Sequence, residues 1–460
     1  MTETILRRIQ QLCEPGSFQD FHPGSGNGWV TGSGKVKGMD VLLSFMVPDE
    51  AGKSPFAGLQ EHLELLAMAE ERSLPLILVM DTPGHQKSGE ESPFPHDPLR
   101  LLADPRGVGA WFAGHARLSG KVPQIAVVLN KMGASMTFPV SLCDYCVMTE
   151  NAGMSIGRPD VVEKMLGIKP DYKDLGGAEM HLRTSGSADA VCPDETTAFS
   201  RAAAYLELLM HRKKEAGPAG AGAERVAELI PASPNEAFDT HQVIDAITDG
   251  HSLLELKSGI ARELVTGLAR VNGLSTGIIA NNSAVRGGIF FPETCRKAAR
   301  FISLCDSFGI PLVFLADDAG FMVGPQVEQA GIIREAAQLF SAIANTAIPK
   351  LSVVLRRSYT AGVYAMAGPG FRPEAFIALP GAVISIYGKT VADRLSERGV
   401  DGTESGAVKE MLDAAEDPEK LLSMGLLDRI IRPAELRDEL IRFAEKQSRL
   451  SSKSGKSLLI

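Results

Sequence analysis

The chain has 460 residues, well past the ~250–300 at which one hydrophobic core stops growing, so two domains are expected. Its 44% hydrophobic and 22% charged residues exclude disorder for most of its length. A net charge of −9 leaves no basic footprint of the kind nucleic-acid binding requires, so any phosphate-bearing ligand must meet a local positive patch.

Taken in chain order, the opening "MTETILRRIQQLCEPGSF" lacks the apolar core of a signal peptide. No stretch reaches the ~18 apolar residues of a membrane span, and a cytoplasmic protein is expected. "WVTGSGKVKG" (29–38) reads as a hairpin-like β pair. "LPLILVM" (74–80) is uniformly apolar and runs into Asp81 and Gly84. "QIAVVL" (124–129) is a second such stretch, leading to Gly133, Ala134 and Ser135. Strands that are apolar on both faces, alternating with helical spacing, predict a parallel sheet covered on both sides. Cys143 and Cys146 form a lone CxxC without a second pair, and the six cysteines read as reduced packing residues. "HRKKEAGPAGAGAERVAEL" (211–229) has linker composition.

The second half repeats the first. "LVTGLARVNG" (264–273) matches 29–38, "IPLVFLADDAG" (310–320) matches 74–84, and "PKLSVVLRRSYTAGVYAM" (349–366) matches the segment beginning at Pro123. "PETCRKAARFISLCDSFG" carries helical spacing and stops at Gly309. Order is kept while the spacing drifts by a loop's length, so the chain reads as a duplicated α/β fold with domains 1–230 and 231–460. The basic, Ser-rich segment 446–460 reads as a tail.

Small residues at a strand's carboxyl end let a ligand approach the backbone. Two adjacent N–H groups there form an oxyanion hole, a fixed pair of donors that holds negative charge on a carbonyl oxygen. Such residues also allow close helix packing. Their recurrence at Gly133–Ala134–Ser135 and at Ala361–Gly362, equivalent points of a duplicated fold, points to a reaction in which two carbonyl oxygens are polarised.

The segments "KAARFISLCDSFGIPLVFLADDAGFMVG", "EQAGIIREAAQLFSAIANTAIPKLSVVLRRSYTAGVYAM" and "ALPGAVISIYG" closely resemble the C-terminal half of the carboxyltransferase (β) subunit of biotin-dependent acyl-CoA carboxylases, propionyl-CoA carboxylase β type. "VPQIAVVL", "RPDVVEKMLG" and "LGGAEMHLRTSGSADAVCPDE" resemble its N-terminal half. The resemblance implies two tandem crotonase-like domains, an acyl-CoA side (1–230) and a biotin side (231–460), assembled as a homohexamer, a trimer of dimers. It implies carboxyl transfer between N1 of carboxybiotin and the α-carbon of an acyl-CoA thioester. Biotin would arrive on a separate carboxyl carrier served by a biotin carboxylase, since no Met-Lys-Met biotinylation motif occurs here. No metal is implied in this subunit.

Residue by residue, the resemblance places the first hole on Ala134 and Ser135 beside Gly133, and the second on Ala361 and Gly362. Tyr364 falls where the family tunes acyl-chain size. Gly84, His85, His181 and Arg334 are further candidate substrate contacts, and Gly320, Phe321, Gly324 and Tyr359 candidate biotin contacts. His181 also reads as a structural histidine. Arg334, with Arg356 and Arg357, reads equally as ion-paired. The family's Ser-Gly-Gly-Ala-Arg loop stands here as "DTPGHQ" (81–86), and its Gly-Gly at the second hole as Thr360–Ala361. Three functions are compatible with these residues: a carboxylase subunit, the α subunit of a decarboxylase acting on a malonyl-, methylmalonyl- or glutaconyl-type CoA, and a scaffold without turnover.

Overall fold

The apolar stretches form two sheets, one in each of the units Met1–Met210 and His211–Gly455 into which the chain divides. The computed structural model describes residues 1–25, 27–46, 58–82, 102–210, 213–220, 222–233, 236–386 and 417–448.

In the first unit, α1 (Glu3–Leu12) precedes a short β1 (Gln19–Asp20) and the hairpin of β2 (Trp29–Val36) and β3 (Met39–Met46). Helix α2 (Leu59–Arg72) leads to β4 (Leu76–Met80), and α3 (Val108–Leu118) to β5 (Gln124–Val128). There follow β6 (Lys131–Gly133), β7 (Tyr145–Thr149), β8 (Gly153–Ser155), β9 (Ala190–Cys192) and α4 (Glu195–Met210). The sheet order is β1-β2-β3-β4-β5-β7-β9, with β6 and β8 paired separately. From β3 onward it is parallel. Every residue of β4, β5 and β7 is buried, as strands with helices on both faces must be. All six cysteines are free and buried, Cys143 and Cys146 among them.

The second unit repeats this plan. Helix α5 (Thr240–Ile247) and β10 (Leu254–Glu255) precede the hairpin β11 (Leu264–Val271) and β12 (Leu274–Asn281). Helix α6 (Pro292–Phe308) starts on a proline at its first turn and ends on Gly309, which takes the left-handed conformation at φ 64°. Then come β13 (Leu312–Asp318), α7 (Ile332–Asn345), β14 (Lys350–Tyr359), β15 (Ala375–Ala378), β16 (Val383–Ser385), β17 (Arg429–Ile430) and α8 (Leu436–Ser448). The order β10-β11-β12-β13-β14-β15-β17 copies the first sheet, and β16 pairs with the far end of β14. That end corresponds to β6, which in the first unit is cut off from β5 by Leu129 and Asn130.

Residues 213–220 and 222–229, despite their linker composition, pack on the second unit. Lys213 bridges Leu274 and Ala219 bridges Asp249. The Asp249 carboxylate accepts Gly273 N–H at 2.6 Å and is paired with Arg437 at 2.7 Å. Val226 is buried in the core. Among the described residues no helix is long and apolar enough to cross a membrane.

Each unit has its own apolar core, and the first holds a polar chain inside it. His62 on α2 and His115 on α3 are buried beside Trp29 and Trp111. His115 Nδ1 lies 2.8 Å from Gln124 Oε1, whose amide donates to His115 O, so Nδ1 carries the hydrogen. His115 Nε2 then accepts from His62 Nε2 at 3.3 Å, and His62 Nδ1 accepts from Ser44 Oγ at 3.0 Å. Both rings are neutral in this arrangement. Burial pushes His62 well below the ordinary histidine range and His115 down to about 4. A group depressed on folding contributes stability above its unfolded value, about 6.5, that is lost as pH falls toward its folded value. The melting temperature is therefore expected to drop as pH falls from 6.5 toward 4, more steeply than in a His62→Gln/His115→Gln variant. Identical pH slopes by calorimetry would contradict this.

Candidate active site

The second sheet aligns the ends of β13 and β14. Their register shifts between Ala316 and Asp318, which brings Asp318 opposite Ser358. The Asp317 carboxylate is fully buried and held by Arg356 at 2.7 Å, with Arg357 at 3.4 Å. Arg356 also donates to Ser233 O at 2.7 Å and to Ser283 Oγ at 3.3 Å. Both arginines are therefore internal ion-pair residues.

Beyond Arg357, β14 pairs with β16 through Tyr359, which stands opposite Ser385. Thr360 N–H donates to Ser385 O at 3.0 Å, and Thr360 then turns left-handed at φ 53°. This conformation is costly for a β-branched residue and redirects the chain within one position. Ala361 caps the one-turn helix Gly362–Ala365. Its first internal bonds run from Tyr364 N–H and Ala365 N–H back to Ala361 O, and from Met366 N–H to Gly362 O. The N–H groups of Ala361 and Gly362 precede those bonds and have no acceptor among the described residues. Among the described residues, two adjacent donors are thus free at a strand's carboxyl end.

Close packing holds this turn. A Cβ on Gly362 would lie 1.7 Å from Asp318 Oδ1, so only glycine fits. Gly320 has φ 90°, and a Cβ there would sit 2.7 Å from Thr360 Oγ1. The Asp318 carboxylate accepts from Gly320 N–H at 2.9 Å and from Ser358 Oγ at 2.8 Å. Burial pushes Asp318 up to about 7 against the pull of these donors.

Phe321 stacks on Phe290 at 5.1 Å and meets Phe340 edge-on at 6.1 Å, and Phe340 lies 5.9 Å from Phe371. This aromatic row flanks the turn. Met322, Val323 and Tyr364 are exposed apolar surface nearby, Gly324 takes φ 133°, and Tyr359 is half-buried. Arg334 lies apart on α7, exposed, with its guanidinium 2.8 Å from Glu335, a carboxylate it shares with Arg296.

In the first unit, β6 runs into the turn Ala134–Met136 and the helix Thr137–Ser141. Ala134 and Ser135 open that turn, so their N–H groups lie ahead of its first internal bond. Gly133 pairs with Ser155 as Tyr359 pairs with Ser385. By this register Ala134–Ser135 are the counterparts of Thr360–Ala361, and Ser135 and Ala361 are the shared position. The glycines of "LGGAEMH" bring a backbone against β8, because a Cβ on Gly176 would stand 2.2 Å from Met154 O. His181 Nε2 donates to the same carbonyl at 2.7 Å, and its Nδ1 lies 2.7 Å from Ser185 Oγ. Nε2 thus holds β8, the partner of β6, while Nδ1 is engaged within its own helical turn. Lys131 Nζ sits 4.7 Å over the Tyr172 ring, and the Thr82 hydroxyl donates to Lys131 O. Gly84 and His85 lie outside the described residues.

Three features were not drawn from the sequence: Asp318, the left-handed Thr360 and the aromatic row. The doubled acid in "LADDAG" was the available signal for the first. Among the described residues no group of three or more His, Cys, Asp or Glu side chains is placed to hold a metal ion.

Comparison with known proteins gives consistent relatives. The carboxyl transferase domain family matches residues 100–456. The chain is 36% identical to the uncharacterized carboxylase YngE of Bacillus subtilis, over 90% of this chain and 83% of that one. It is 33% identical to the methylmalonyl-CoA carboxyltransferase 12S subunit of Propionibacterium freudenreichii, over 98% and 91%. Among solved structures it resembles transcarboxylase 12S, a hexamer crystallised with hydrolysed methylmalonyl-CoA, with a TM-score of 0.83 at 28% identity, covering 99% of this chain and 92% of that one. A single-chain long-chain acyl-CoA carboxylase matches with a TM-score of 0.79 at 26% identity, over 95% of this chain and 46% of that one. The two units are crotonase-like domains in tandem.

Proposed function

Because the chain belongs to the carboxyl transferase domain family, whose matched members are biotin-dependent acyl-CoA carboxylases and carboxyltransferases, we propose that it moves a carboxyl group between biotin and the α-carbon of an acyl-CoA. The observation that carries the reading is the pair of N–H donors at Ala361 and Gly362, which have no acceptor among the described residues. They are fixed by the packing of Gly320 and Gly362 before any ligand arrives. Preorganised donors of this kind contribute about 2.7–4 kcal/mol each to a step that develops negative charge on an oxygen.

In this reading Ala361 and Gly362 hold the ureido oxygen of biotin, with Phe321, Gly320, Gly324 and Tyr359 as its surroundings. Ala134 and Ser135, beside Gly133, hold the thioester oxygen, and Tyr364 limits the acyl chain. The donor pair and the aromatic wall suit a flat, uncharged ureido ring. Biotin, borne by a separate carrier protein, supplies N1 for the carboxyl group and, once free of it, a base for the α-proton. The chain's own residues polarise two oxygens and exclude water; no side-chain base is required. His181 serves by fixing β8, and Arg334 is left as a candidate contact to CoA phosphate. The likeness to transcarboxylase 12S supports a hexamer; in this reading the first domain of one subunit completes the site on the second domain of another, and a biotin carboxylase in the cytoplasm serves the carrier.

The test is biotin-dependent decarboxylation. Purified protein is incubated with free biotin and malonyl-, methylmalonyl- or glutaconyl-CoA, and loss of the carboxylated thioester is followed. Turnover of at least one ester, requiring biotin, is expected. An assembled oligomer with no turnover of any of them would sink the reading.

A further inference from the structure

Asp317 and Asp318 are adjacent, both fully buried, and differently supplied with countercharge. Asp317 is met by Arg356 and Arg357. Asp318 has no ion-pair partner among the described residues. Its hydrogen bonds come from neutral donors, the hydroxyl of Ser358 and the backbone N–H groups of Gly320 and Tyr359. Its carboxyl oxygen lies directly against the α-carbon of Gly362, one of the two residues presenting the free N–H donors.

We propose that Asp318 is a positioning residue of the second oxyanion hole, and that its protonation state sets the charge beneath Ala361 and Gly362, so that the hole accepts negative charge best while Asp318 is neutral. The inference rests on the carboxyltransferase reading above. A carboxylate in van der Waals contact with the hole's own backbone opposes any second negative charge placed on the other side of that backbone, and a dry interior weakens this opposition little. The neutral acid removes the repulsion while its oxygens keep the turn in place. Among the described residues the groups facing Asp318 are few. Its own strand presents Asp317, whose charge raises the cost of ionising it. Strand β14 presents Ser358 and Tyr359, with Arg356 and Arg357 turned to Asp317. The one-turn helix presents Gly362, and its Tyr364 is solvent-exposed. Burial places the ionisation of Asp318 at about 7, where the switch would act within the ordinary range of cell pH.

The experiment follows kcat for biotin-dependent decarboxylation from about pH 5.5 to about pH 8.5, in the wild type, Asp318→Asn and Ser358→Ala. The wild type should slow on the order of tenfold as Asp318 ionises. Asp318→Asn, neutral at every pH and still offering an oxygen to Gly320 N–H, should lack that limb with KM for the acyl-CoA unchanged. Ser358→Ala removes a donor that favours the carboxylate and should move the limb to higher pH. Infrared difference spectra supply a readout independent of turnover. A protonated-carboxyl band should vanish as pH rises through about 7 and be missing in Asp318→Asn. A limb that persists in Asp318→Asn and does not move in Ser358→Ala, or a band that does not titrate, overturns the inference and leaves the carboxyltransferase reading intact. A titrating band with no turnover of any ester overturns the carboxyltransferase reading and the coupling with it.

Discussion

Gly362→Ala is expected to lower biotin-dependent turnover by about 10²- to 10³-fold. The added Cβ would lie 1.7 Å from Asp318 Oδ1, and the carboxylate cannot withdraw, being buried and tied to Ser358 and Gly320. The backbone at 361–362 must shift instead, and a displacement of about 1 Å removes most of what an aligned donor contributes. Overpacking by one methyl costs about 1–3 kcal/mol of stability, so the fold should survive the change that abolishes activity. Circular dichroism and size-exclusion chromatography distinguish the two effects. Adding Asp318→Ala to Gly362→Ala makes room for the methyl and should recover part of the loss. Full turnover from Gly362→Ala alone would show that these N–H groups are not the donors.

Arg356→Met should be the most destabilising single change, at about 3–5 kcal/mol. It strands the Asp317 carboxylate, which is wholly buried, and leaves only Arg357 at 3.4 Å. It also removes the donors to Ser233 and Ser283 that tie neighbouring loops to the strand end. For a unit of this size the melting temperature of the second domain is expected to fall by roughly 10 °C. Pairing it with Asp317→Leu removes the stranded charge and should restore much of the loss. A calorimetric trace in which Arg356→Met melts with the wild type would contradict the assignment of Arg356 as an internal countercharge.

The periodicity of the sequence carried the sheets well. Uniformly apolar runs such as Leu76–Met80 and Gln124–Val128 became fully buried parallel strands, and the matched segments of the two halves became matched strands in the same order. Composition failed where a polar segment is held by specific partners. Residues 213–229 have the glycines and charges of a linker, but their bridges to Leu274 and Asp249 arise from partners distant in sequence. The site shows the same division. Small residues at 133–135 and 361–362 were legible because glycine and alanine admit few explanations at a strand end. The inward turn of Arg356 to Asp317 and the seat of Asp318 under Gly362 depend on the register shift between β13 and β14, which one strand's sequence does not encode. Thr360 illustrates a further gap, since a left-handed β-branched residue is favoured by its surroundings alone.

The most direct measurement of the central claim is the fate of the carboxyl carbon. The protein is incubated with free biotin and the carboxyl-labelled CoA ester it turns over, and the mixture is quenched with diazomethane to trap N1-carboxybiotin as its methyl ester. Label in trapped carboxybiotin, absent without protein and sharply reduced in Gly362→Ala, is the predicted result. Label confined to the CoA ester, or released as carbon dioxide at the same rate with and without biotin, would contradict carboxyl transfer through the Ala361–Gly362 donors.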